Sequence, residues 1–204
     1  MAACVLVSLA RAENEGLPKL DQALEARLLA THQRDVTKVV DLCREALKMG
    51  LEETHARFAK SLLAASLLER ASLAAETTFA KGPGDPLWPN YRSLALKDLE
   101  EAVTHCPELP DALLLIARLN LLADGDRNRA AEAIGAALKI EGLDPPDRAS
   151  LLLMGAEIEE DNAKKLEMLD KAVRLAPEAA EPLRARAAVH AAMGKEESAA
   201  ADFA

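Results

Sequence analysis

Three short motifs close on an alanine, an aliphatic residue and, two positions further, another apolar residue. They are EALKM (Ala46, Leu47, Met49), AALKI (Ala137, Leu138, Ile140) and KAVRL (Ala172, Val173, Leu175). A fourth, EAVTH, carries Ala102 and Val103 but ends on polar His105. Ala102, Ala137 and Ala172 stand 35 residues apart, and Ala46 precedes Ala102 by 56. Cys43, Leu99, Ile134 and Leu169 each lie three residues before their landmark alanine, on the same side of a helix. Such a recurrence restricts the fold severely. Each copy is one supersecondary unit that buries its apolar face only by stacking on the next, and the longer interval is one period plus about 22 residues.

Composition agrees with helices. Half of the 204 residues are hydrophobic but only 2% are aromatic, and Leu and Ala dominate, which suits close helix packing rather than a β-sandwich. The chain is predicted to be all-α. A formal net charge of −9 and a pI near 5.0 exclude a general nucleic-acid binder, which needs a basic face. No apolar run reaches the length of a transmembrane helix.

In chain order, residues 1–12 (MAACVLVSLARA) are apolar and end in the small-x-small pattern of a secretory cleavage site. They read either as an export signal processed after Ala12, placing the protein outside the cytoplasm, or as an apolar N-terminal turn of a cytoplasmic one. The rest, 13–204, reads as a single stack. Helix one is expected from Pro18 through LDQALEARLLATHQ, followed by a second helix capped by Asp35 and ended by Gly50. The helix from about Glu52 is long, and KGPGDPLWPNY forms a loop after it, so the extra residues fall within about 71–91. That insertion holds Trp88 and Tyr91 among three prolines. The pair forms either an interaction loop or, with Trp88 folded over the end of the long helix, a lid.

Repeats three and four follow, PDALLLIARLNLLADGDRNRAAEAIGAALKI and RASLLLMGAEIEEDNAKKLEMLDKAVRLAP. Repeat five runs from Pro177 as a helix over about 178–193, a turn at Gly194-Lys195 and a second helix still running at Ala204. No polar capping helix closes it, so the last repeat reads as incomplete and a further segment is expected.

Pro177, Ala187, Gly194, Ala199 and Phe203 in this last unit resemble the tetratricopeptide repeat (TPR), a helix–turn–helix unit of about 34 residues. The resemblance covers roughly 18–204 in five units. It implies a right-handed α-solenoid of antiparallel helix pairs whose first helices line a concave groove that binds peptides or partner surfaces. The groove residues it implies are Asp111, Leu114, Arg118 and Leu121 from repeat three, Leu152 and Glu159 from repeat four, and Arg184 from repeat five. Some members hold acidic C-terminal tails with Lys, Asn and Arg. The matching places here are Leu24, Leu28, Leu114, Arg118, Leu152 and Ala156, so that clamp is absent.

No catalytic, cofactor or metal constellation emerges from spacing. Cys4, Cys43 and Cys106 lack ligand spacing. DGDRN at Asp124 departs from a calcium loop at Arg129 and Gly135. Two functional readings follow: a non-catalytic scaffold for a protein or peptide partner, or the helical-repeat part of a larger enzyme or exported multidomain protein. A solenoid that only self-associates is a third.

Overall fold

The computed structural model describes residues 14–202, which hold ten helices and no strand. The export-signal reading of 1–12, together with Cys4 and Phe203, lies outside the described residues. The helices are α1 (Leu17–Leu29), α2 (Gln33–Met49), α3 (Glu53–Lys81), α4 (Trp88–His105), α5 (Pro110–Leu121), α6 (Arg127–Ala137), α7 (Pro145–Ile158), α8 (Asn162–Leu175), α9 (Ala180–Ala192) and α10 (Glu196–Ala201). The fold is all-α, of the α-solenoid class built from helix pairs. Two compact units divide it, Met1–Ala112 and Leu113–Ala204. The recurring positions share one environment. Ala46, Ala102, Ala137 and Ala172 are all completely buried, and Cys43, Leu99, Ile134 and Leu169 are buried beside them.

In the first unit α1 pairs with α2, α2 with α3, and α3 with α4. Val39, Val40, Cys43, Leu63, Leu67 and Ala102 form the main core. A smaller cluster joins Leu20, Ala46 and Ala59. Gly16 enters α1 so close to α2 that an added Cβ would stand 2.0 Å from the Ala46 carbonyl oxygen; only glycine fits. Helix α1 stops at Leu29, earlier than expected, because Ala30 turns extended. His32, not Asp35, is the N-cap of α2. The Asp35 carboxylate instead accepts from the His32 and Thr31 amides, at 2.9 and 3.0 Å, and these bonds hold it below the usual carboxylate range, Thr31 first.

Helix α3 is long, at 29 residues, and α4 begins at Trp88 rather than after Tyr91, with Pro89 in its first turn. The lid geometry is the one observed. Trp88 is 4% exposed, and its indole N–H donates to the Thr78 carbonyl, one turn from the end of α3, at 3.0 Å. Further along the pair, Arg70 makes a two-pronged bond to Asp98, both at 2.7 Å. Arg44 of α2 does the same to Glu101 of α4, at 2.8 and 2.6 Å.

In the second unit Asp126 and Asp161 open α6 and α8. Each side chain accepts two backbone amides of the first turn, as an N-cap must. Asp124, rather than Gly125, takes the left-handed backbone in the turn before α6 (φ 57°). Helices α7 and α8 pair around Ala149, Leu152 and Ala172. Helix α9 packs on α8 and carries α10 across a turn where Gly194 has φ 72°. Helix α10 spans Glu196–Ala201 with Asp202 at its C-cap, and the expectation of a helix still running at Ala204 lies outside the described residues. Arg186 of α9 donates to Asp202 just past that end and to Asp170 of α8, which pushes its guanidinium pKa further up, Asp202 first.

Candidate functional site

Helix α5 buries Ala112, Leu113, Ile116, Ala117, Leu119 and Asn120, so its sequence leaves one side open. That side carries Asp111, Leu114, Arg118 and Leu121: the two charged residues are exposed and the two leucines half-buried. The i, i+3, i+7, i+10 spacing brings all four to one line along the helix.

The other two first helices differ from expectation. Leu152 is 9% exposed and packs with Ala149 and Ala172; it belongs to the interior of the α7–α8 pair, not to an open face. Glu159 lies past the end of α7. Its carboxylate accepts the Asp161 and Glu160 amides, at 3.1 and 2.9 Å. These bonds lower its pKa, Asp161 first, and fit it to close the corner rather than to meet a partner. The open line of α7 is Pro146, Ser150, Leu153 and Glu157, and the 35-residue interval reaches only two of its members, since one interval after Leu114 and Leu121 stand the buried Ala149 and Ala156. Leu153 stands one interval after Arg118, and Pro146 one after Asp111. Another interval reaches Glu181 and Ala188, exposed on α9 beside Arg184, whose guanidinium pairs with Glu181 at 3.5 Å.

Trp88 is likewise not displayed. Its burial on α3 removes it from the interaction-loop reading, whereas Tyr91 is half-buried. The Arg92 guanidinium lies 5.6 Å from the Trp88 ring centroid, a cation–π contact.

Sequence reasoning missed two depressions in the second unit. One, of about 640 Å³, runs between α6 and α7; Ile134, Leu138, Ile158 and Met168 supply its apolar wall, and Arg127 and Glu160 are among its polar lining. Arg127 bridges these helices by donating to the Glu157 carbonyl at 3.1 Å. The other, of about 400 Å³, is lined by Leu138, Leu152 and Leu175 with Arg148, Lys171 and Arg174. Of the basic residues that recur inside the landmark motifs, Lys48, Lys139 and Arg174, only Arg174 lines a depression, so the sequence pattern marked neither.

Cys43 and Cys106 are free thiols, and burial pushes Cys43 up to about 11. Among the described residues no group of three or more His, Cys, Asp and Glu side chains is placed to hold a metal ion. No described helix is long and apolar enough to cross a membrane.

No family model matches the chain, and no curated protein matches it. Solved structures do. The arrangement of helices is that of a TPR-like helical-repeat protein. Two crystal structures of MamA are similar to it, each with a TM-score of 0.55 at 15% identity. One match covers 92% of this chain and 87% of that one, the other 84% and 86%. A thermophilic TPR protein from Thermus thermophilus matches at TM-score 0.45 and 18% identity over 92% of this chain and 88% of its own.

Proposed function

We propose that this chain is a non-catalytic scaffold that binds a peptide or partner surface along the open side of its first helices. The observation that supports this reading is the line on α5. Most positions around it are packed, yet Leu114 and Leu121 stay half-exposed between exposed Asp111 and Arg118. Apolar side chains alternating with charges of both signs suit a short amphipathic or extended segment. Leu153 of α7 and Arg184 of α9 extend the same kind of surface.

The experiment is affinity capture from the native host with wild type, Leu114→Ser, Arg118→Glu and, as control, Lys60→Glu on exposed α3 surface, alongside melting curves. Partner recovery is expected to fall about tenfold for the two α5 variants and to stay level for Lys60→Glu, with melting unchanged in all. Recovery at wild-type levels in both α5 variants overturns the reading. So does Leu114→Ser acting by unfolding, the outcome for a core leucine.

A further inference from the structure

The smaller depression of the second unit has a composition at odds with the rest of the chain. Leu138 at the end of α6, Leu152 of α7 and Leu175 at the end of α8 form an apolar floor. Arg148, Lys171 and Arg174 are the other residues that line it. Three cations and no carboxylate thus surround three leucines, in a chain whose net charge is −9. Each cation is held differently. Arg148 donates to the Leu138 and Ile140 carbonyls, at 2.9 and 3.1 Å, which fixes its guanidinium at the edge with N–H groups to spare. Lys171 pairs with Glu167 at 2.7 Å on the exposed side of α8. Arg174 is exposed and has no ion-pair partner among the described residues.

We infer that this depression is a second docking site, for a short acidic segment of a protein partner that inserts one large aliphatic side chain. Charge complementarity selects the occupant. A carboxylate-bearing strand meets a guanidinium fixed by backbone carbonyls and another with all its donors available, and Arg is the side chain best suited to grip a carboxylate by two bonds. The leucine floor, about 400 Å³ in volume, falls in the lower range of ligand-sized cavities and rewards a single apolar anchor. A purely acidic segment would leave the floor wet, and a purely apolar one would leave three cations facing it. This site uses residues of α6, α7 and α8 and none of the α5 line, so it stands or falls independently of the first-helix reading.

The test is fluorescence anisotropy of the intact chain with a labelled peptide, Glu-Asp-Glu-Leu-Glu-Asp-Glu, beside a version with Ser for Leu and one with Gln and Asn for the acids. Binding is expected for the first peptide, to weaken about tenfold with either altered peptide, and to fall steeply with added salt. Arg174→Glu, at an exposed position, should abolish it while leaving helicity and melting unchanged, and Arg118→Glu on α5 should leave it intact. No binding of the leucine peptide up to on the order of 1 mM overturns the inference. Equal binding of all three peptides, or insensitivity to Arg174→Glu, overturns it too. A single-chain fatty acid anion that binds where the peptide does not would assign the depression to a small amphiphile instead, and sink the proposal.

Discussion

The two units solve one packing problem by different means. In the second, the regular repeats meet through completely buried alanines, Ala137 and Ala172, with side-chain caps from Asp126 and Asp161. In the first, the enlarged α3–α4 pair departs from the repeat, and polar fasteners appear along it: Trp88 on Thr78, Arg70 on Asp98, and Arg44 tying α2 to Glu101. The second unit has such a fastener between α6 and α7, Arg127 on the Glu157 carbonyl, and another at its end, where short α10 brings Ala199 as its one buried residue and Arg186 grips Asp170 and Asp202. Trp88 on Thr78 and Arg70 on Asp98 lie outside the landmark motifs, whereas Arg44 and Glu101 stand beside the buried Ala46 and Ala102, so there the directional bonds add to apolar contact.

The largest effect expected from that contrast is in the second unit. Ala172→Glu places a carboxylate with no partner among Ala149, Leu152 and Leu175, and should cost about 4 kcal/mol or more. Chemical denaturation should then show Leu113–Ala204 melting far ahead of the first unit. A harmless Ala172→Glu would mean that the recurrence does not mark the interior.

In the first unit, Trp88→Ala removes a nearly fully buried indole and should cost about 3–5 kcal/mol. Trp88→Phe, which keeps most of the ring and leaves the Thr78 carbonyl without this donor, should cost about 1–2 kcal/mol. Equal losses would show that area alone holds the pair. Arg70→Met strands Asp98, whose side chain is 11% exposed, and should cost roughly 2–3 kcal/mol, most of it recovered by adding Asp98→Leu. Failure of the double variant to recover would place the role of this bond elsewhere than in the charge.

These differences also explain what was legible. The alanine recurrence is a local pattern tied to burial, so it revealed the all-α class, the helix pairs and the enlarged α3–α4 pair. The Trp88 lid was also readable, because three prolines and a lone indole next to a long helix leave few arrangements. Leu152 was misplaced because α7 buries almost its whole circumference, Leu151, Met154, Gly155 and Ala156 included. Hydrophobic pattern alone then gives no direction, and only the 35-residue register points to Leu153. The cationic depression was invisible because Leu138, Arg148 and Arg174 come from three helices. Their meeting is a consequence of packing, not of any one stretch.

A smaller effect is expected at the caps. Asp126→Ala should cost about 1 kcal/mol, because the Asn128 and Arg129 amides, now bonded at 2.9 and 3.0 Å, lose their acceptor. Asp126→Asn should keep most of the stability. Equal loss in both would assign the effect to charge at the helix N-terminus rather than to the hydrogen bonds.

The smallest effect is a pH dependence that isolates one fastener of the first unit. The Arg44 guanidinium bonded to Glu101 holds that carboxyl below its ordinary 4.5. A depressed carboxyl stabilises the fold at pH values above its unfolded pKa and loses that contribution as pH falls through the folded one. Both side chains keep contact with solvent, at 37% and 26% exposure, so screening limits the contribution to less than about 1 kcal/mol. Wild type and Glu101→Gln should therefore differ in urea midpoint at pH 7 and converge as pH falls through the depressed folded-state pKa, below which the glutamate is protonated and resembles glutamine. A gap that persists unchanged throughout the acid titration would mean that the side chain acts through packing, and that Arg44 is held by something other than the charge on Glu101.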